Sequence, residues 1–139
     1  KKPWKLTSEM TLLSRPLYGW ENVNGTINNE GPNALVREDK IYLAYAGGDA
    51  RGDTYSTGIL SADITANLLD AAAWKKQTTP ALSFYSFHGV YGPGHGAFYK
   101  DEQGRDCFSF HAENAIDSRD CQIGCCQVRI DEYGSLFFE

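Results

Sequence analysis

An internal repeat is the feature of this sequence that most limits how the chain can fold. Residues 31–38 resemble residues 92–101: each segment starts with Gly-Pro, continues through a small residue and two bulky residues, and ends with a base and an acid. A turn and a strand-like run follow in each copy, at residues 40–46 and 105–112. Recurrence of a segment along a chain indicates a repeated structural unit. The sequence therefore predicts two copies of one unit.

Each copy is predicted to contain four short strands. β-branched and aromatic residues fill the strand-like runs, and Gly-, Asp- and Glu-containing turns separate them. The first unit comprises residues 33–37, 40–46, 55–63 and 77–83, and the second comprises residues 96–100, 106–113, 122–131 and 135–138. Residues 70–74 are predicted to form a single helical turn, with Asp70 as its cap.

Four antiparallel strands that recur every ~40–60 residues are typical of β-propeller blades. We predict an all-β fold: a β-propeller segment of about two four-stranded antiparallel blades plus one outer strand of a preceding blade. The chain is then a single partial propeller domain over residues 1–139. The outer strand falls within 1–14, the first blade within 27–83 and the last blade within 90–139. A generic β-sandwich is the alternative, because it also contains many short strands.

Two blades do not close a propeller, which normally has about four to eight. Unpaired sheet edges and a half-exposed core are a liability in water. We therefore expect the chain to need the missing propeller half or self-association, for example as a symmetric homodimer.

Charge and hydropathy exclude two classes of partner. The net charge of −5 argues against a nucleic-acid-binding protein, which needs a basic patch to neutralise phosphates. No apolar run approaches the ~20 residues that a bilayer span requires, so we predict no membrane segment. The basic start at residues 1–4 is not followed by an apolar stretch, and no signal peptide is predicted. The predicted location is cytoplasmic.

The four cysteines are Cys107, Cys121, Cys125 and Cys126. If residues 122–129 form a strand, Cys125 and Cys126 point to opposite faces, which hinders joint binding of a metal. We predict reduced, structural thiols, in keeping with a reducing compartment. A zinc site or a disulfide is the alternative.

Two polar residues stand at equivalent positions of the repeat. Glu30 precedes the first Gly-Pro, and His95 follows the second. The innermost strands of propeller blades line a central channel, so both residues are expected to meet there. An acid before a rigid Gly-Pro turn is held in a defined position, as a general acid must be. A solvated glutamate before a turn is the alternative.

Several motifs in register resemble those of glycoside hydrolase family 43. The matching segments, from Trp4 to about Asp131, are residues 28–32 (Asn-Asn-Glu-Gly-Pro), 40–46, 57–60, 68–70 with Trp74, and 90–95 (Val-Tyr-Gly-Pro-Gly-His). The resemblance implies a five-bladed propeller of which this chain is the C-terminal half. It also implies hydrolysis, with inversion, of terminal α-L-arabinofuranosyl or β-D-xylosyl linkages in plant polysaccharide. The expected partner is an arabinose- or xylose-containing oligosaccharide.

By this resemblance, Glu30 is the general acid that protonates the leaving glycosidic oxygen. An inverting enzyme also needs a general base, and the family takes both this base and an aspartate that tunes the acid from other blades. We expect both to lie upstream of Lys1. Asp49, Asp53 and Asp63 fall in the wrong blade for either role.

The resemblance places His95 at the bottom of the channel, where the family often holds a calcium or sodium ion. Hard cations prefer oxygen ligands, so a hydrogen-bonding role for His95 is the alternative to metal binding. For His88 and His111 we predict ordinary core positions.

Four residues are candidate substrate contacts: Trp20, Asn29, Tyr91 and Arg119. Trp20 lies in the loop that leads to Glu30 and is expected to stack on a sugar ring or, alternatively, to pack the loop against the blade.

The chain departs from the family pattern at two positions. Gly96 stands where the family often has asparagine, and Glu113 stands where it commonly has arginine. A carboxylate in place of a sugar-binding cation reverses the local field, so we expect the functional arginine elsewhere, for example at Arg119. A non-catalytic carbohydrate-binding or self-assembling propeller module is the alternative function.

Overall fold

The fold is that of a computed structural model, which describes residues 2, 4–118 and 120–139. Its regular structure consists almost entirely of β-strands, with two short 3₁₀ helices at Gly19–Glu21 and Ala71–Ala73. The strands are β1 (Asn22–Val23), β2 (Thr26–Ile27), β3 (Asn29–Arg37), β4 (Lys40–Gly47), β5 (Ser56–Asp63), β6 (Lys75–Lys76), β7 (Tyr91–Lys100), β8 (Asp106–Glu113), β9 (Cys121–Ile130) and β10 (Leu136–Phe138).

Two four-stranded antiparallel sheets contain most of these strands. The first blade has the order β3-β4-β5-β6, and the second has the order β7-β8-β9-β10. Every strand therefore pairs with its neighbour in sequence, as in a meander. Strands β1 and β2 form a separate hairpin before the first blade. The predicted all-β arrangement of two four-stranded blades is confirmed.

The outer strand of the first blade is shorter than predicted. Its ladder is limited to Lys75–Lys76, and a single bridge between Thr57 and Leu82 resumes the pairing further along. Pro80 lies between these two stretches and has no N–H to donate to a ladder. The interruption at the proline explains why a continuous strand over residues 77–83 does not form.

The inner strands β3 and β7 start earlier than predicted and contain bulges. The register of β3 against β4 shifts between Glu30 and Asn33, and that of β7 against β8 shifts on both sides of Gly94. Gly31 (φ 56°) and Gly92 (φ 58°) both have the left-handed backbone that glycine adopts without steric cost. The Gly-Pro pairs are therefore bulges inside the strands rather than turns before them.

Residues 1–14 differ from the predicted outer strand. Within the described part of this segment no strand is present, and no described strand runs alongside it. A strand forms only where a neighbour takes its backbone hydrogen bonds, so the segment stays irregular. It contacts the first blade through Ser14, whose hydroxyl donates to Asn29 Oδ1 at 3.2 Å.

The predicted helical turn is confirmed as the 3₁₀ helix Ala71–Ala73. The side chain of Asp70 caps it by accepting a hydrogen bond from the backbone N–H of Ala72 at 2.9 Å. None of the described helices has the length and hydrophobicity that crossing a membrane would require.

One hydrophobic core joins the two blades. The first blade contributes Tyr42, Ala44 and Ile59, and the segment after β6 contributes Leu82. The buried residues of the second blade are Phe108, Phe110, Ala112, Cys126 and Leu136. On β8 these side chains alternate with residues on the opposite face, as the two-residue period of a strand requires. Each blade therefore buries one face against the other.

Hydrogen bonds fix the register between the blades. The Asn33 side chain accepts from the backbone N–H of Phe98 at 2.8 Å, which ties β3 to β7. The Tyr42 hydroxyl donates to the carbonyl of Gly134 at 3.0 Å, and so ties β4 to the loop before β10. These bonds fix the position of one blade along the other.

A buried carboxylate organises the loop that leads into the first blade. Glu21 is 0% exposed. Its Oε2 accepts from the backbone N–H groups of Leu17 and Tyr18 at 2.7 and 2.8 Å. Its Oε1 accepts from the Asn29 amide at 2.7 Å and the Tyr45 hydroxyl at 3.0 Å. The carboxylate thus joins the loop to β3 and β4.

Lys76 completes this network and keeps Glu21 charged. Its ammonium pairs with Glu21 Oε1, donates to the carbonyl of Arg15 at 2.7 Å and lies over the Tyr45 ring at 5.0 Å. Burial by itself would raise the pKa of Glu21, but Lys76 and the amide donors outweigh burial and hold this pKa below its ordinary value. Asn29, the residue directly before Glu30, donates to Glu21 and is thereby attached to a buried ion pair.

Because Leu82 is 0% exposed in the shared core, we predict that truncating its side chain strongly lowers the free energy of unfolding. We expect Leu82→Ala to lower the free energy of unfolding by about 3 kcal/mol, because the removed methyl groups leave a cavity between the blades. Leu17→Ala is the control, since Leu17 is 71% exposed. Urea unfolding followed by tryptophan fluorescence measures both. Equal losses in the two variants would contradict a core shared by the blades.

The Glu21 network predicts that Glu21→Gln lowers the free energy of unfolding by an amount that depends on pH. At neutral pH we expect a loss of about 3 kcal/mol, because the substitution leaves the Lys76 charge buried without its partner. The pKa of Glu21 is lowered in the folded protein. The wild-type advantage is therefore complete above the pKa of an unfolded glutamate, about 4.3, and disappears as the pH falls through the lower folded-state value.

Urea unfolding of the wild type and Glu21→Gln across this pH range measures the effect. Glu139→Gln is the matched control, because Glu139 pairs with Arg129 at 2.7 Å on the surface, where an ion pair contributes little. A difference between Glu21→Gln and wild type that is independent of pH would contradict the ionised state of Glu21.

Candidate active site

Glu30 lies at the inner end of the first blade, half-buried, next to the bulge in β3. Its Oε1 accepts a hydrogen bond from the Tyr55 hydroxyl at 2.6 Å. Tyr55 is 0% exposed and directly precedes β5. Burial, followed by the hydrogen bond and the charge of Glu30, raises the pKa of Tyr55 far above its ordinary value. Tyr55 therefore stays protonated and acts as a donor.

The second blade holds the Tyr55 ring through one side chain and one glycine. The ring stacks on His111 with centroids 5.5 Å apart and planes 19° apart. On another side, a Cβ added to Gly94 would lie only 2.4 Å from the Tyr55 ring. Any larger residue at position 94 would displace the tyrosine. The second blade thus sets the position of the hydroxyl that contacts Glu30.

His95 joins the same group from β7. Its ring lies 6.5 Å from the His111 ring, and its backbone has φ of 50°. A Cβ added to Gly31 would lie 2.9 Å from the His95 ring, so the residue after Glu30 touches this histidine. Burial and the neighbouring His95 lower the pKa of His111. We call Glu30, Tyr55, His95 and His111 the inner cluster.

Two members of the inner cluster, His95 and His111, line a cavity of about 410 Å³, whereas Glu30 and Tyr55 are not among its lining residues. Its walls include Gly31, Pro32, His95, Gly96, Ser109 and His111. The cavity therefore lies where the inner strands of both blades meet. A cavity with few, convergent polar groups is the usual form of a small-molecule site.

The structure assembles two residues that sequence reasoning did not assign to the site. Tyr55 had no motif to mark it, because it was predicted only as the first residue of the strand 55–63 and the sequence does not indicate which distant side chain it contacts. His111 was predicted to be an ordinary core histidine, but it is only half-buried and stacks on Tyr55. The alternating pattern of β8, which puts His111 on the face opposite Phe108 and Phe110, was the available signal.

Trp20 and Asn29 lie in the Glu21 network rather than in the inner cluster. The Trp20 indole donates to the carbonyl of Thr78 at 3.1 Å, and its ring stacks on Tyr45 at 6.0 Å. This contact matches the packing alternative for Trp20. The Asn29 amide donates to Glu21. Contact of either residue with a sugar stays a prediction.

Tyr91 and Arg119 were the other predicted substrate contacts. Tyr91 is the first residue of β7, half-buried and paired with Glu113. It leads into the bulged segment that carries His95. Arg119 lies outside the described residues. Both roles stay predictions.

A metal ion at His95 requires further ligands. Among the described residues, no group of three or more histidine, cysteine, aspartate or glutamate side chains is arranged to hold a metal ion. His95 offers a single nitrogen, whereas calcium takes about six to eight oxygens. These residues do not by themselves fit a calcium or sodium site.

The four cysteines are free thiols. Cys126 is buried in the core between the blades, and Cys125 is exposed on the opposite face of β9. The predicted opposite orientation of these neighbours is confirmed. Burial raises the pKa of Cys126 to about 12, so this thiol stays protonated and packs as an apolar group.

The chain is similar to known arabinofuranosidases. It is 40% identical over 111 residues to an extracellular exo-α-(1→5)-L-arabinofuranosidase of Streptomyces chartreusis, covering 79% of this chain and 33% of the relative. It is 36% identical over 116 residues to an enzyme of the same name from Streptomyces avermitilis, covering 83% of this chain and 24% of that relative. The chain thus spans a third or less of the length of these curated relatives.

Comparison with solved structures supports the same relationship. The crystal structure of an α-L-arabinofuranosidase from Lactobacillus brevis matches with a TM-score of 0.88 and 28% identity, covering 99% of this chain and 44% of that one. The predicted partial propeller is confirmed by this match. Residues 2–132 match the family model described as glycosyl hydrolases family 43. Because this match covers nearly the whole chain, the protein belongs to glycosyl hydrolase family 43.

Proposed function

We propose that this chain is the acid-bearing part of a glycosidase that hydrolyses terminal α-L-arabinofuranosyl linkages, with Glu30 as the general acid. The observation that carries the proposal is the position of Glu30 at the inner end of the first blade, where the buried Tyr55 hydroxyl donates to it at 2.6 Å and the adjacent Gly31 lines the cavity. The names of the relatives, which are arabinofuranosidases, favour this sugar over β-D-xylose.

In the proposed reaction, the protonated Glu30 gives its proton to the glycosidic oxygen as the bond to the anomeric carbon breaks. A general base removes a proton from a water that attacks the opposite face of the sugar, so the configuration inverts. The two carboxyl groups of such a pair stand about 6.5–9.5 Å apart. We infer that the base and the aspartate that tunes the acid come from outside this chain.

We further propose that the chain acts together with the rest of a propeller, or with a second copy of itself. Apolar side chains remain exposed in the N-terminal segment, where Met10 is 88% exposed, and on the face of the second blade that carries His111, where Ile123 lines the cavity and is 85% exposed. Covering such surfaces with another blade would remove them from water. The chain also covers only 44% of the Lactobacillus brevis enzyme. A cytoplasmic location and a calcium or sodium ion in the channel stay predictions.

Complementation tests this proposal. The purified chain is mixed with the part of the Lactobacillus brevis enzyme that it does not match, and hydrolysis of phenyl α-L-arabinofuranoside, whose leaving group depends on an acid, is followed. We expect activity that neither part has alone. Glu30→Gln should lower that activity by about 10²–10⁴-fold, the usual contribution of a general acid.

Glu38→Gln is the matched control, because Glu38 is exposed in the turn that follows β3. It should leave the activity unchanged. Activity that survives Glu30→Gln would overturn the assignment of the acid. Binding of arabinose-containing oligosaccharides without hydrolysis in any mixture would favour the non-catalytic carbohydrate-binding module.

A further inference from the structure

The hydrogen bond from Tyr55 distinguishes the two oxygens of the Glu30 carboxyl group. Oε1 accepts from the Tyr55 hydroxyl at 2.6 Å. The hydroxyl has little freedom to move, because its ring is buried between the backbone at Gly94 and the face of His111. A rigid donor at Oε1 fixes the rotation of the carboxyl group about its last bond. It also makes Oε1 the less favourable oxygen for a proton.

We propose that Tyr55 is the positioning residue of the general acid: it binds Oε1 of Glu30 and so makes Oε2 the oxygen that carries the proton to the leaving group. This inference rests on the proposed function of Glu30. When the proton leaves Oε2, both electrons of the O–H bond remain on Glu30 and the carboxyl group becomes negatively charged. The Tyr55 hydrogen bond then becomes charge-assisted and stronger.

Strengthening of this bond during proton transfer would contribute to catalysis directly. An interaction that is stronger in the transition state than in the ground state lowers the barrier, whereas one that is equal in both does not. The Tyr55 donor is already oriented before the reaction, so no reorganisation is needed when the charge develops. A phenylalanine at position 55 would retain the packing on His111 and lose only this effect.

The hydrogen bond can be tested in the chain itself, without any activity. In protein labelled with ¹³C at the tyrosine Cζ, Glu30→Gln should shift the Tyr55 resonance, because the acceptor of the Tyr55 hydroxyl changes from a carboxyl oxygen to an amide oxygen. Tyr42 is the internal control, because it is equally buried and donates to the carbonyl of Gly134. A Tyr55 resonance that does not respond to Glu30→Gln would overturn the proposal.

The catalytic role is tested in the complemented enzyme with two substrates. Departure of dinitrophenolate needs little protonation, whereas departure of unsubstituted phenolate depends on the acid. We expect Tyr55→Phe to lower kcat/KM about tenfold for the phenyl arabinofuranoside and less than about twofold for the dinitrophenyl one, a fraction of the contribution of general acid catalysis. Tyr42→Phe should affect both substrates equally, because it removes a similar buried hydrogen bond away from Glu30.

Three results distinguish a failure of the proposed role of Tyr55 from a failure of the proposed function of Glu30. Equal losses on both substrates for Tyr55→Phe, or no loss, would overturn the positioning role while leaving Glu30 as the acid. Equal losses on both substrates for Glu30→Gln would overturn the proposed function, and the role of Tyr55 with it. A loss confined to the phenyl substrate in both variants, larger for Glu30→Gln, supports both assignments.

Discussion

The packing of one blade against the other is the constraint on which the rest of this structure depends. A four-stranded sheet buries apolar side chains only on a face that another element covers. Here Tyr42 and Ile59 of the first blade meet Phe108 and Phe110 of the second in one core. The stacking of His111 on Tyr55 and the contact of Gly31 with His95 both cross this interface. The candidate site therefore exists only when the two blades are packed together.

The buried Glu21 and the half-buried Glu30 lie in different environments. Glu21 is completely enclosed and receives an ion pair and four other hydrogen bonds, so its charge is stabilised. Glu30 is half-buried, and the hydrogen bond that fixes it comes from Tyr55. The Glu21 network nevertheless serves the site, because it anchors Asn29, the residue adjacent to Glu30. The Glu21 carboxylate thus fixes the backbone next to Glu30, the proposed general acid.

The bulges in the inner strands lie where the repeated Gly-Pro pairs meet the candidate site. A regular strand would continue its alternation past Glu30 and past Gly94, but the register shifts at both places. Bulges re-aim side chains and are common next to active sites. In this chain they coincide with the two Gly-Pro pairs of the repeat, and with positive φ at Gly31, Gly92 and His95. The same duplicated feature thus shapes both strands that border the cavity.

The sequence by itself determined the all-β character, the two four-stranded units, the helical turn capped by Asp70, and the presence of Glu30 and His95 at the inner strands. These features depend on local alternation, turn residues and repetition, which are properties of neighbouring residues. Only the tertiary structure decided that Tyr55 contacts Glu30, that His111 supports Tyr55, and that Glu21 is enclosed with Lys76. Such contacts join residues 25, 56 and 55 positions apart, and the sequence contains no periodic signal for them. The N-terminal segment shows the same limit, because its predicted strand requires a neighbouring strand that no local pattern supplies.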